Sequence, residues 1–316
     1  MRQLGNSTVH ISPVLLGTWA IGGVMWGGTN EKDSIEAIQT SLDNGVTTID
    51  TAAVYGFGVS EELVGKALKG RRDKAIIATK CGMRWLNNEN PIVVKKNSKP
   101  ESLYYECEES LRRLQTDRID LYQIHWPDPD IPIEESWEAM ATLKKQGKVR
   151  AIGVSNYNLE QLKQAHVLHP VDSIQLPYSL IRRSIEQDII PFCQKNKIAV
   201  LAYSPLERGI LTGKVLPDRQ FPKEDHRSSY DLFSLENRKC IMRALEQVAP
   251  IAKTHDATLA QLIIACTTSI PGITGVLAGA RNKMQALENA KSLKLQLSLK
   301  EQQLIIKSFE NKELQR

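Results

Sequence analysis

Along most of the chain, short apolar runs alternate with longer segments whose apolar residues recur every three or four positions. "VLLGTW" is followed by "EKDSIEAIQTSLDNG", "TTIDTA" by "SEELVGKALKG", and "AIIATK" by "SKPESLYYECEESLRRL". The same pairing returns in "IDLYQIH" with "PIEESWEAMATLKKQG", "VRAIGVS" with "NLEQLKQAHVLH", and "SIQLPYS" with "EQDIIPFCQKNK". It closes with "AVLAYSP" before "LENRKCIMRALEQVAPIAKTH" and "TGVLAG" before "KMQALENAKSL". Uniformly apolar strands separated by amphipathic helices predict parallel strands with crossover helices. About eight repeats at this length favour closure into a (β/α)8 TIM barrel, with a doubly wound open sheet as the alternative.

Local signals agree with this segmentation. Ser98 and Glu101 have capping-box spacing around Pro100, Ser60 is placed to cap the second helix, and Gly45, Gly70 and Gly147 follow three helices. Three segments lie outside the repeat. The N-terminal stretch predicts a hairpin, "SLKEQQLIIKSFENK" an extra C-terminal helix on the outside or at one end, and "LERGILTGKVLPDRQFPKEDHRSSYDLF" a loop over the site. The expected organisation is a single domain spanning 1–316.

Composition narrows the class. The hydrophobic fraction of 41% and charged fraction of 24% are ordinary for a globular chain. No apolar run has the length to cross a bilayer and no secretory signal pattern opens the sequence, so the expected location is cytoplasmic. Five widely spaced cysteines lack the paired spacing of a zinc or redox site and are expected to be reduced thiols. The net charge of +5 is scattered without interleaved aromatics, which argues against a nucleic-acid partner and suits a phosphate-bearing small molecule. A homo-oligomer is compatible with the sequence.

In a barrel, chemistry collects at the C-terminal ends of the strands. Asp50 ends the second strand with Tyr55 in its loop, Lys80 ends the third, and His125 the fourth. Each alone has a structural explanation: a turn cap, a loop aromatic, a snorkelling amine, a core imidazole. Together an Asp–Lys pair beside a phenol satisfies groups that would be costly to bury singly. An ammonium near Tyr55 is expected to lower its pKa, while Asp50 holds Lys80 charged and His125 positions a substrate oxygen. Such a device protonates an oxyanion as it forms, and a hydride from a nicotinamide would supply the charge. The side chains offer neither a metal-ligand cluster nor a nucleophile elbow.

These residues, with "LGTW", "IDTAAVYG", "LYQIHWPDP", "AIGVSN", "QLPYSL", "AYSPLERGILTGK" and "AGARNKMQALENA", resemble the aldo-keto reductases through nearly the whole chain. Among subgroups, "LYQIHWPDPD" and "LAGAR" resemble the bacterial general-stress-protein and inositol-operon type, which is also similar to potassium-channel β-subunits. The resemblance implies an NADPH-dependent reductase of small-molecule carbonyl compounds, with Tyr55 as general acid and Asp50, Lys80 and His125 completing the catalytic set. It further implies that Ser155, Asn156 and Gln175 hold the nicotinamide carboxamide and that Tyr203 stacks on the ring. Gly17, Thr18 and Trp19 would line the same pocket, and Leu206, Gly209 and Lys214 would lie over the pyrophosphate.

After the last strand, Gly279, Ala280 and Arg281 are expected around the adenosine 2′-phosphate, with Gln285 and Asn289 facing the adenine. Gln285 and Gly279 replace the family's commoner arginine and lysine, so NADPH preference rests on Arg281, with support from Lys283. Trp19, Trp26, Trp85 and Trp126 are candidates for an apolar substrate wall, and His10, His166, His169, His226 and His255 for surface or structural roles. Two other function classes stay open at this point. One is a nicotinamide-binding sensor with little turnover; the other is a barrel aldolase using Lys80 as a Schiff base, disfavoured because Asp50 keeps the amine charged.

Overall fold

The computed structural model describes residues 1–24, 26–85, 92–221 and 225–310. The chain opens with a hairpin of β1 (Arg2–Gln3) and β2 (His10–Ile11). Barrel strands follow as β3 (Val14–Gly17), β4 (Thr48–Asp50) and β5 (Ile76–Cys81). A second hairpin, β6 (Met83–Trp85) and β7 (Val94–Lys96), leaves the barrel before β8 (Ile119–Ile124) and β9 (Val149–Ser155). The barrel is completed by β10 (Ser173–Pro177), β11 (Ala199–Tyr203) and β12 (Ile273–Gly279). All neighbouring barrel strands are parallel, and β12 pairs back onto β3, so the sheet closes without an edge. Closure removes the open-sheet alternative.

Helices α1 (Glu31–Asp43), α2 (Val59–Ala67), α3 (Pro100–Leu114), α4 (Ile133–Lys145), α5 (Leu159–Leu168) and α6 (Ile189–Asn196) form the crossovers. They are followed by α7 (Leu235–Thr254), α8 (Leu259–Ser269), α9 (Lys283–Lys291) and α10 (Leu299–Ser308). Among the described residues, no helix is long and apolar enough to cross a membrane. Between the sheet and this ring lies the main core, where Ile49, Ile77, Tyr122, Ile152 and Val200 meet Leu63, Leu103, Trp137 and Leu162.

The barrel interior is packed at its base by Leu15, Ala78, Leu121, Ala151, Leu201 and Leu277, sealed from below by Leu4, Val9 and Ile11 of the first hairpin. Side chains alternate along a strand, so positions two residues further on also point inward at the opposite, C-terminal rim. Those positions include Gly17, Lys80, Gln123, Tyr203 and Gly279, joined at the rim by Asp50 after Thr48 and Gln175 after Ser173, which converts an apolar floor into a polar mouth.

The structure corrects several local expectations. Helix α3 starts one residue later than the capping-box reading: Pro100 occupies its first turn, Lys99 is the N-cap without a side-chain bond, and the Ser98 amide is held by Asp128 Oδ2 at 2.9 Å. Helix α2 is capped at Gly58, and Ser60 lies inside it with its hydroxyl on Thr18 and Thr51. The segment after "LENRKCIMRALEQVAPIAKTH" contains a further helix, α8, and the region after β5 a hairpin that the repeat does not reveal. The C-terminal helix packs outside, Ile305 and Phe309 burying with Ile241 and Leu245 of α7 and Leu262 of α8. All five cysteines are buried, free thiols.

Candidate active site

Asp50 ends β4 and is 1% exposed; Lys80, on the adjacent strand β5, is equally buried. The Lys80 ammonium donates to Asp50 Oδ1 at 2.6 Å, to the Thr51 carbonyl at 2.9 Å and toward the Tyr55 hydroxyl at 3.5 Å. The second oxygen of Asp50 accepts from Gln175 Nε2 at 2.7 Å. Both carboxylate oxygens and the ammonium are thus partnered, as burial of an ion pair demands. His125 completes the group from the end of β8. Its ring meets that of Tyr55 edge to face at 5.7 Å, and its carbonyl accepts from Asn156 Nδ2 at 3.0 Å.

The Tyr55 loop is positioned by glycines. Gly56 has φ +64°, and a Cβ there would lie 2.2 Å from the Gly22 carbonyl oxygen; a Cβ on Gly22 would lie 2.7 Å from the Tyr55 carbonyl carbon. Two backbones touch here with no space for side chains, which locks the phenol over Lys80.

Electrostatics refine the expectation for Tyr55. Burial pushes its pKa up and outweighs the opposing pull of Lys80, so the net direction is upward, not downward. The phenol therefore keeps its proton. Burial alone would depress Lys80, yet the charge of Asp50 and the neighbouring phenol more than offset it, and the amine stays protonated. Burial, reinforced by Lys80, holds His125 well below its usual range as a neutral imidazole. A protonated phenol beside a fixed cation and a neutral imidazole can give up a proton while the phenolate is stabilised at once.

A second network joins the residues expected around a nicotinamide. Ser155 Oγ donates to the Gln175 carbonyl at 3.0 Å. Asn156, at φ +62°, donates to Ser155 Oγ and accepts from the Tyr203 hydroxyl at 2.9 Å. Ser155, Asn156, Gln175 and Tyr203 are therefore one connected wall, with the Tyr203 ring half-buried. Gly17 and Gly279 are register partners on β3 and β12, and a Cβ on either would find nothing nearer than 3.7 Å. The paired missing side chains leave a cradle at the rim that fits a flat ring or diphosphate.

Thr18 is fully buried and donates through its amide and hydroxyl to the Asp50 carbonyl at 3.0 and 2.9 Å. Trp19 packs edge to face on Trp26 at 5.3 Å.

The remaining expected residues lie around the same mouth. In the loop after β11, Leu206 and Gly209 are half-buried, and exposed Lys214 pairs with Glu288 of α9. Ala280 is buried beneath the β12 end. The Arg281 guanidinium donates to the carbonyls of Trp26 at 2.9 Å and Gly28 at 2.7 Å, tying the end of β12 to the loop after β3. The Gln285 side chain accepts from the Arg281 amide, and Asn289, 8% exposed, donates to the Gly279 carbonyl. Lys283, expected to support Arg281 at the phosphate, donates to Glu36 at 3.2 Å.

Among the histidines, His169 pairs with Glu138 and His255 with Glu301, while the His226 side chain lies outside the described residues. The structural partners of Asp50, Thr18 and Gln175, are legible in the sequence as polar residues in apolar surroundings, Gln175 within β10 and Thr18 directly after β3.

Residues 13–309 match the Aldo/keto reductase family. The chain is 44% identical to the aldo-keto reductase YhdN of Bacillus subtilis over 90% of this chain and 85% of that protein. It is 35% identical to the NADH-specific methylglyoxal reductase of Escherichia coli, covering 93% and 94%. The glycerol dehydrogenase of Gluconobacter oxydans superposes with a TM-score of 0.91 at 38% identity, covering 97% and 94% of the two chains. The chain belongs to the aldo/keto reductase family and is an oxidoreductase acting on the carbonyl–alcohol couple.

Proposed function

We propose that the protein reduces aldehydes or ketones to alcohols with NADPH, using Tyr55 as the general acid. The observation that carries this reading is Lys80 Nζ set between Asp50 Oδ1 at 2.6 Å and the Tyr55 hydroxyl at 3.5 Å, with His125 against the same phenol. A bound nicotinamide supplies hydride to the carbonyl carbon. Gln175, Ser155 and Asn156 would hold its carboxamide, Tyr203 would stack on its ring, and the Gly17–Gly279 cradle gives it room.

The chain's own residues handle the proton. The neutral imidazole of His125 orients the substrate oxygen toward Tyr55, whose proton moves to that oxygen as negative charge builds. Lys80 holds the phenolate left behind, and Asp50 keeps Lys80 charged and fixed, until water restores the proton. Arg281, with a planar fork of five donors, of which two N–H groups go to backbone carbonyls, is the proposed partner of the 2′-phosphate.

Tyr55→Phe tests the assignment. Cofactor affinity should be retained while turnover of an aldehyde panel drops by roughly 100-fold or more, the range of lost acid catalysis. Near-normal turnover would remove Tyr55 from the role.

A further inference from the structure

Hairpin β6–β7 leaves the barrel two residues after Lys80 and leans on both loops that carry the site. Trp85 of β6 meets Phe57, in the Tyr55 loop, at 5.8 Å. Lys96 of β7 donates to the Pro127 carbonyl at 3.0 Å and sits 5.8 Å from the Trp126 ring, beside His125. The root of the hairpin is held by two carboxylates. Asp128 takes the Ser98 amide, and Glu106 takes the Gly82 amide through Oε2 at 3.0 Å and the Ser102 hydroxyl through Oε1 at 3.0 Å. Gly82 has φ +81°, and a Cβ there would stand 3.1 Å from Ser98 Oγ, so the root has no slack. Glu106 is 3% exposed in the buried stripe of α3, between Leu103 and Cys107. An acid at such a position is expensive unless the contact it makes is needed.

We propose that Glu106 is a positioning residue for substrate binding: by fixing the root of β6–β7 it sets the wall that braces the Tyr55 and His125 loops. This rests on the reductase reading for its kinetic readout. Burial pushes the Glu106 carboxyl up to about 7, against the pull of Ser102, Arg84 and the amides of Gly82 and Met83. The thiols and the phenol facing it keep their protons at neutral pH, because burial raises the Cys81 thiol on β5, the Tyr122 phenol on β8 and the Cys107 thiol on α3; Arg84 faces it from the hairpin, and Glu61 of α2 is paired with Arg113. Ionised Glu106 is the stronger acceptor for the Gly82 amide and attracts Arg84, so the hairpin is held more firmly above about 7 than below it.

The test compares wild type, Glu106→Gln and Glu106→Ala by NADPH oxidation with an aromatic aldehyde from about pH 6 to about pH 8.5, with amide hydrogen exchange at Gly82 in parallel. In wild type, KM for the aldehyde should fall as pH rises through about 7, and E106Q should flatten that course while keeping the fold. E106A should raise KM roughly tenfold at the alkaline end, with kcat within about threefold, KM for NADPH unchanged and faster exchange at Gly82. If E106A does not fold, the flattened profile of E106Q carries the test. An E106Q profile that tracks wild type, or a loss confined to kcat, overturns the proposal. Absence of turnover in wild type would sink the reductase reading instead; Gly82 exchange then decides, and protection independent of both pH and Glu106 overturns the proposal.

Discussion

Arg281 is the residue whose role is least fixed by its type alone. Its guanidinium already spans from β12 to the carbonyls of Trp26 and Gly28, so it is a strut between two loops of the mouth as well as the proposed phosphate partner. Arg281→Ala should weaken NADPH by roughly tenfold or more and NADH far less, measured as separate dissociation constants by fluorescence titration. Equal losses for both cofactors would mean that the strut alone matters. Three residues of the proposed proton-delivery site, Asp50, Lys80 and His125, are legible because each lies at a strand end in an apolar context where an unpaired polar group is costly, and Tyr55 is legible as the phenol in the loop that follows Asp50. The direction of the Tyr55 shift was not, because a sequence does not reveal how far burial outweighs a neighbouring ammonium.

At the level of elements, α2, α3 and β5 are joined by a buried tie behind the site. Glu61 accepts from Arg113 Nε at 2.6 Å and from Thr79 Oγ1, also at 2.6 Å, with Glu61 0% and the Arg113 side chain 8% exposed. Thr79 precedes Lys80, so the tie backs the strand that carries the amine. Glu61→Ala leaves the buried Arg113 guanidinium with the longer pair to Glu109 at 3.6 Å and should destabilise the fold by up to about 3–5 kcal/mol in urea unfolding. A change below about 0.5 kcal/mol would show the pair to be dispensable. Helix and strand alternation was readable from periodicity, but two elements were not. Helix α8, "LAQLIIACTTS", is apolar on nearly every side and so lacks the two-faced pattern by which a surface helix is recognised. The three-residue strands of β6–β7, "MRW" and "VKK", are too short and too charged to alternate visibly.

Across the whole molecule, the two ends of the barrel divide stability from chemistry. The base is closed by Leu4, Val9 and Ile11 on a floor of apolar side chains, and the opposite rim carries the titratable ones. Leu4→Ala should cost about 2–5 kcal/mol through the cavity it leaves, while kcat and KM stay at wild-type values in the folded protein. A loss of turnover without loss of stability would contradict that division.

The plugged base also dictates traffic. With the floor sealed by the first hairpin, the substrate, alcohol product and dinucleotide of the proposed reaction would all have to enter and leave by one doorway. In the proposed reaction the dinucleotide would line its wall, so it would have to arrive before the carbonyl compound and leave after the alcohol, which would block the next carbonyl compound for as long as it lingers.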